Sequence, residues 1–290
     1  MRQAGGLAGR VTYGVRVPRP ADDARRPIDP AAVAAALADP GRWSIEFTAQ
    51  TGSTNADLAA RAEAGTLPDG QVLVTEEQTA GRGRAGRDWY CPLGAGLMFS
   101  VALRLPAVPA DRRGWIGAVL GLSIVAALRR VAGVEATLKW PNDVLIDGAK
   151  CAGILGELAG GLLIVGSGIN VSLTCDELPR ADATSLALAG AQSDRAALLA
   201  AILDELGLLC DRWSTAAGDV GTSGLREEYR RSCSTIGSEV RILLPSERWV
   251  TGTADDVDES GALVVTDEAG RRAAYTVGDV VHVRPARSGG

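Results

Sequence analysis

Histidine is almost missing from this chain. His282 is its only one, in a strand-like run near the C-terminus, which argues against a Ser/His/Asp triad and leaves His282 a structural residue. The five cysteines, Cys91, Cys151, Cys175, Cys210 and Cys233, are odd in number and scattered without a Cys-x-x-Cys pair, so neither a disulfide framework nor a zinc site is indicated and reduced thiols are expected. No run approaches the ~18 apolar residues of a membrane span. The N-terminus also lacks the compact charged-then-apolar pattern of a secretory signal. Positive charge is not in excess: 30 Lys and Arg stand against 35 Asp and Glu, a formal net charge of -5, which speaks against a protein whose main work is non-specific nucleic-acid binding. What remains is a soluble, cytoplasmic enzyme; 290 residues, 46% of them hydrophobic, suffice for one large domain and a small one.

Against that acidic background, Gly81-Arg82-Gly83-Arg84-Ala85-Gly86-Arg87 concentrates three guanidinium groups and three glycines in seven residues. Glycine lets the backbone approach a ligand, and each Arg presents a planar fork of donors that matches carboxylate or phosphate oxygens. Arg/Gly repeats also occur in solvated loops and RNA-binding tails, so the loop alone indicates an anion and not which one.

Residues 1–28 carry six arginines and two aspartates without a sustained apolar period, and read as a disordered or loosely attached extension. Asp29-Pro30 looks like a cap and first-turn proline opening a short Ala-rich helix through about Ala38. From Trp43 to about Trp213, β-rich runs alternate with helical patterns, which predicts an α+β domain with helices on one face of a mixed sheet. Strands are expected at Ser44 to Phe47, Gln71 to Thr75, Gly96 to Ala102, Ala136 to Trp140, Val144 to Ile146, Ala152 to Leu158 and Leu162 to Gly166, with tight turns at Asp147-Gly148 and Gly160-Gly161. Helices are expected over Thr54 to Glu63 behind Ser53, over Trp115 to Val131, and in a third segment capped by Ser193 with Leu198, Leu199, Ile202, Leu203, Leu206 and Leu209 on its core face. After Glu228 the texture changes to short alternating strands, Val240 to Leu244, Trp249 to Gly252, Leu263 to Val265, Tyr275 to Val277 and Val280 to Val283, the pattern of a small antiparallel barrel.

A second motif adds specificity: Lys139-Trp140-Pro141-Asn142-Asp143, followed by Lys150-Cys151-Ala152-Gly153-Ile154-Leu155-Gly156-Glu157. With Gln50-Thr51-Gly52-Ser53-Thr54-Asn55 upstream and Gly166-Ser167-Gly168-Ile169-Asn170 downstream, in this order and spacing, the chain closely resembles the biotin protein ligases. The resemblance runs from about Phe47 to Asn170, weakly through Ala183 to Leu186, and returns after Ile236. It implies a class II synthetase-like catalytic domain over 29–232, an SH3-like C-terminal barrel over 233–285 and a tail over 286–290. The region before it is too short for the roughly 60 residues of a helix-turn-helix domain, so a ligase without a DNA-binding function is expected.

The resemblance also implies the chemistry: biotin and ATP as substrates, magnesium carried on the triphosphate with no protein metal site, and transfer to the biotin carboxyl carrier protein or domain of an acyl-CoA carboxylase. No DNA and no membrane are expected as partners, and a homodimer stays open. Joining a carboxylate to the α-phosphate brings two anions to near-contact, which requires fixed cations. Lys150 and Arg84 are the catalytic candidates. Ser53, Thr54, Asn55, Gln78, Arg82, Gly83, Arg84, Lys150 and Gly153 are the biotin candidates. Arg82, Arg84, Arg87, Trp89, Lys139, Asn142, Lys150 and Asn170 are the ATP candidates. Each keeps a plainer reading: Ser53 and Thr54 as a helix cap, Trp89 as core, and Pro141-Asn142-Asp143 as turn chemistry, with Asp143 a weaker nucleotide or metal candidate than Asn142. Two rivals remain, a lipoate ligase or octanoyl transferase of the same fold, and a nucleic-acid-binding regulator.

Overall fold

The structure is a computed structural model that describes residues 25–244, 247–276 and 279–282. The expected tail, and most of the expected extension, lie outside them. The larger region is built on a seven-stranded mixed sheet of order β1-β2-β3-β7-β6-β5-β4. Its strands are β1 (Ser44–Thr48), β2 (Gln71–Thr75), β3 (Gly96–Leu103), β4 (Thr137–Lys139), β5 (Asp143–Ile146), β6 (Ala149–Ala159) and β7 (Leu162–Asn170). Only β1 and β2 pair in parallel. The expected turns fall where the backbone needs a left-handed conformation: Asp147 and Gly148 have φ of 49° and 78°, Gly160 and Gly161 of 53° and 78°.

Side-chain alternation along the central strands sorts them onto two faces. Leu97, Phe99, Val101 and Leu103 of β3, with Val72 and Val74 of β2 and Leu163 and Val165 of β7, join the main core. Helices α3 (Ile116–Ala127) and α4 (Arg195–Thr215) complete that core. Leu73, Ala102, Leu162 and Ile164 point the other way and bury Leu58 and Ala62 of helix α2 (Thr54–Glu63) in a smaller cluster. Helices therefore cover both faces, not one as the sequence suggests, because periodicity reports that a helix has an apolar stripe but not which side of the sheet it meets. The second face is only partly covered, and the cavity lies beside α2.

The short helix α1 (Pro30–Ala36) starts as expected, with Asp29 accepting from the Ala31 N–H at 2.9 Å. The long third helix does not use Ser193. Asp194 is its cap, accepting from the N–H groups of Ala196 and Ala197 at 2.7 and 3.1 Å. The predicted helix over Trp115 to Val131 is three pieces: a 3-10 segment (Ala110–Trp115), α3, and a π segment (Leu128–Ala132) ended by Gly133 in the left-handed region. By length and composition, the stretch Ala110–Ala132 would reach across a membrane, contrary to the sequence expectation, but 61% of its most apolar window is buried between the sheet and α4. A further helix, α5 (Leu225–Ser232), precedes the C-terminal region.

The C-terminal strands β8 (Glu239–Leu243), β9 (Trp249–Val257), β10 (Leu263–Thr266), β11 (Arg272–Tyr275) and β12 (Asp279–His282) pair in the order β11-β10-β9-β8-β12. Among the described residues no pairing joins β11 to β12. His282 ends β12, and its side chain lies outside the description. Two indoles tie this sheet to the larger region: Trp115 Nε1 donates to Asp258 O at 2.9 Å and Trp140 Nε1 to Gly261 O at 3.1 Å.

The expected loose extension needs correction at its end, since residues 25–28 are bound to the larger region. Arg25 forms a bidentate pair with Glu177 at 3.0 and 2.6 Å. That hydrogen bond, opposed by burial and helped by Thr174, lowers the Glu177 carboxyl from 4.5 to about 2. A carboxyl depressed on folding stabilises above its unfolded pKa and loses that contribution as pH falls through the folded one. Glu177 should therefore support the fold fully above pH 4.5 and progressively less toward pH 2. In acid titrations followed by melting temperature, Glu177→Gln should flatten the curve within that window, and parallel curves for variant and parent would refute the assignment.

Candidate active site

A cavity of about 480 Å³ opens on the α2 side of the sheet. Its floor is strand backbone made accessible by glycine. Gly153 of β6 pairs with Gly168 of β7, Leu155 with Gly166, and across β3 Gly166 and Gly168 pair with Ser100 and Met98. On this floor lies the Trp89 indole, and a Cβ at Gly168 would overlap it. Trp89 Nε1 is buried without a hydrogen-bond acceptor, an unusual state for an indole and one that a ligand acceptor would relieve.

One end of the cavity is neutral and densely hydrogen-bonded. Ser53 is positioned as N-cap of α2 but makes no side-chain cap bond; instead Gln78 Oε1 accepts from the Thr54 N–H at 2.9 Å and from Thr54 Oγ1 at 3.2 Å. The simple cap reading of Ser53 and Thr54 thus fails. Thr54 Oγ1 meets Ser100 Oγ at 2.7 Å, Ser100 donates to Asn55 Oδ1 at 2.6 Å, and Asn55 Nδ2 donates to Leu155 O at 3.2 Å and Glu157 Oε2 at 2.9 Å. Sequence reasoning missed Ser100 and Glu157 as members of this network. A methyl group on Gly166 would overlap both Asn55 Oδ1 and Ser100 Oγ and lie 2.8 Å from the Phe99 carbonyl, which cannot move freely. Gly166→Ala should cost about 1–3 kcal/mol by overpacking and lower the melting temperature by roughly 2–4 °C per kcal/mol. An unchanged melting temperature would show that this layer yields.

The other end is cationic: Arg82, Arg84, Arg87, Lys150 and Arg180 line the cavity against a single acid, Asp88. The Arg/Gly segment is a small closed hairpin. Trp89 N–H donates to Gly81 O at 2.9 Å, Gly83 N–H to Arg87 O at 2.6 Å, and Arg87 to Arg84 O through both its N–H and Nε at 3.2 Å. Gly81 is required where the two sides meet, because a Cβ there would overlap the Trp89 carbonyl. Lys150 reaches the cavity from β6, with Nζ 2.6 Å from Asp143 Oδ1, off the hydrogen-bonding axis, and 5.9 Å from the Trp89 ring centroid. Beside them Asn142 Nδ2 donates to Ile154 O at 3.0 Å, and buried Asn170 donates to Thr184 O at 2.9 Å. Both asparagines line the cavity while their amides hold its walls.

Of the site residues expected from sequence, Lys139 and the weaker candidate Asp143 are not in the cavity wall; they pair with each other across β4 and β5, and neither lines this cavity or the neighbouring groove. Arg180, Pro179 and Ala183, on the loop after β7, complete the wall and were not anticipated. The groove, of about 1070 Å³, shares Arg82, Arg84, Arg87 and Asn142 with the cavity and runs past Glu157 and Trp140 to Gly261 of the C-terminal sheet.

Comparisons with known proteins agree with this geometry. The profile of the Biotin/lipoate A/B protein ligase family matches residues 47–173, and that of the Biotin protein ligase C terminal domain matches residues 235–283. The biotin--[acetyl-CoA-carboxylase] ligase of Mycobacterium tuberculosis is 42% identical over 269 residues, covering 91% of this chain and 98% of that protein. The bifunctional ligase/repressor BirA of Escherichia coli is 30% identical over 223 residues, 74% of this chain and 65% of that one. The biotin protein ligase from Aquifex aeolicus, solved in complex with biotin and ATP, superposes with a TM-score of 0.69 at 28% identity over 83% of this chain and 99% of that one. A catalytic region and a C-terminal region matched in order, with near-complete coverage of a relative, establish that the chain belongs to the biotin protein ligase family.

Proposed function

We propose that this protein activates biotin with ATP to biotinyl-5′-AMP and transfers the biotin to a lysine of the biotin carboxyl carrier domain of an acyl-CoA carboxylase, in the cytoplasm. The observation that carries this reading is the two-ended cavity, with neutral donors and acceptors at one end and five cationic side chains at the other. A ureido ring offers both N–H donors and a carbonyl acceptor, which the hydroxyls of Ser53 and Thr54 and the amides of Asn55 and Gln78 complement. At the other end a carboxylate oxygen attacks the α-phosphorus and pyrophosphate leaves with the departing electron pair. Both reactants are anionic, so fixed cations lower the barrier by stabilising charge that builds in the transition state. Within the cationic end Lys150 is a compact point charge able to follow the reacting oxygens. Magnesium enters with the triphosphate as part of the substrate. Trp89 supplies an aromatic face and an N–H for the adenylate, and Asn142 and Asn170 hold the backbone around it.

In the second half-reaction the lysine amine attacks the acyl carbon of the mixed anhydride, AMP leaves and the amide forms with loss of a proton. The groove continuous with the cavity offers a carrier domain access from the side of the C-terminal sheet. The lipoate alternative is disfavoured by the identity to biotin ligases over nearly the whole chain. The direct test is pyrophosphate exchange into ATP with magnesium and either biotin, lipoate or no acid. Biotin-dependent exchange is the expected result; exchange with lipoate alone would move the chain to the neighbouring activity, and none with either would overturn the reading.

A further inference from the structure

Four residues ahead of α1 are held more firmly than their distance from the cavity would require. Besides its pair with Glu177, Arg25 donates to Ser172 O at 3.0 Å and to Ser172 Oγ at 3.3 Å. The Arg26 carbonyl accepts from Arg195 Nη2 at 2.5 Å, and the Ile28 N–H donates to Glu76 Oε1 at 2.7 Å. Arg195 and Glu76 are themselves paired at 2.7 Å, with Arg195 only 4% exposed and also donating to Gly96 O at 2.9 Å. Gly94 makes room for the segment, since a Cβ there would lie 2.6 Å from the Arg25 carbonyl.

The loop that Arg25 grips leads into the cavity. Glu177 closes its first turn by accepting from Thr174 N–H and Oγ1 at 3.0 and 3.1 Å. Pro179, Arg180 and Ala183 then line the cationic end. Beyond them the loop runs beside the backbone of Lys150 like an added strand: Lys150 N–H donates to Asp182 O and Thr184 N–H to Lys150 O, both at 2.8 Å. One side of the loop is thus fastened to the N-terminal segment and the other to the residue at the centre of the proposed chemistry.

We propose that Arg25 is a positioning residue: through Glu177 and Ser172 it fixes the 172–184 loop, and the loop sets the nucleotide end of the cavity and the backbone of Lys150. This inference rests on the proposed reaction for which end of the cavity takes ATP, but the coupling itself does not. Glu177 and Arg25 touch no reacting atom, and the loop places Pro179, Arg180 and Ala183 at the cationic end, so their removal should act mainly on ATP.

The test uses the full chain with Arg25→Ala, Arg25→Lys and Glu177→Gln. Arg25→Ala should raise KM for ATP about tenfold, below the roughly hundredfold that a full 1 Å misplacement can cost, with KM for biotin little changed. Arg25→Lys, which keeps one charged contact, should recover most of that loss, and Glu177→Gln should fall between. Equal KM values for ATP in parent and Arg25→Ala, or parallel rises in both KM values without recovery by Lys, would overturn the proposal. Hydrogen exchange tests the coupling without any substrate. The amides of Lys150 and Thr184 should exchange faster in Arg25→Ala while that of Asp57 in α2 does not, and unchanged protection at Thr184 would refute the coupling whatever the protein's substrate.

Discussion

Replacing Lys150 by glutamine is expected to lower biotin-dependent pyrophosphate exchange by about two to three orders of magnitude, the usual cost of losing one preorganised group that stabilises transition-state charge. Lys150 is partly sheltered, at 23% side-chain exposure, and its nearest charge is Asp143 at the same exposure. In the free protein the pair is neutral overall. Glutamine keeps much of the length but leaves Asp143 as an uncompensated anion beside the position where two further anions must meet, so the variant loses an attraction and gains a repulsion. Asp143→Asn separates the two contributions. It keeps the cation and removes the repulsion, and combining it with Lys150→Gln should restore part of the exchange lost in the single variant. Initial exchange rates at saturating biotin and ATP provide the measurement, with melting temperatures to show that the fold survives. A Lys150→Gln rate within threefold of the parent would show that neither contribution operates, whereas full recovery in the double variant would mean that the lysine only neutralises Asp143.

Much of this site is legible in the sequence because its glycines, cations and turn residues cluster in short motifs whose local chemistry is specific. The Gly81-to-Arg87 loop, the Lys139-to-Asp143 turn and the Ser53-to-Asn55 helix start all line or border one cavity. Ser100 was not anticipated because it belongs to no motif. Its signal is slight, one hydroxyl within the otherwise apolar run Gly96–Leu103, and it becomes meaningful only once pairing sets it opposite Gly166. Lys139 was overread for the opposite reason: it sits inside a motif and, alternating with buried Leu138, shares the sheet face of Asp143 and Gly153, but it stands on the edge strand beyond the cavity wall. The Ser193 cap failed by one residue because serine and aspartate are both good caps, and only the geometry shows Asp194 reaching two N–H groups. Arg25 could not have been read as an anchor, since its partners Ser172 and Glu177 lie about 150 residues away in sequence. Long-range pairing of this kind leaves no local period.

Arg84→Gly should convert a contained intermediate into a diffusible one. The hairpin that holds Arg84 is closed by backbone groups, and the Arg84 carbonyl that accepts from Arg87 persists when the side chain is removed. The loop should therefore keep its fold while the cavity loses one of its five cations. A charge-assisted hydrogen bond to a buried phosphate contributes about 1.5–3 kcal/mol, so biotinyl-AMP should dissociate roughly 10- to 100-fold faster. Formation of the adenylate depends more on Lys150 and should fall less than retention does. Once released, the mixed anhydride acylates whichever amine it meets, so a bystander protein mixed with the variant, biotin and ATP should become biotinylated on its lysines. Arg84→Lys, which keeps the charge but not the planar fork, should release less than glycine. Radiolabelled intermediate retained through a rapid desalting column measures the first effect and blotting of the bystander measures the second. Equal retention in parent and Arg84→Gly would show that this arginine does not hold the adenylate, and the cationic end would then have to contain its intermediate through Lys150, Arg82 and Arg87 alone.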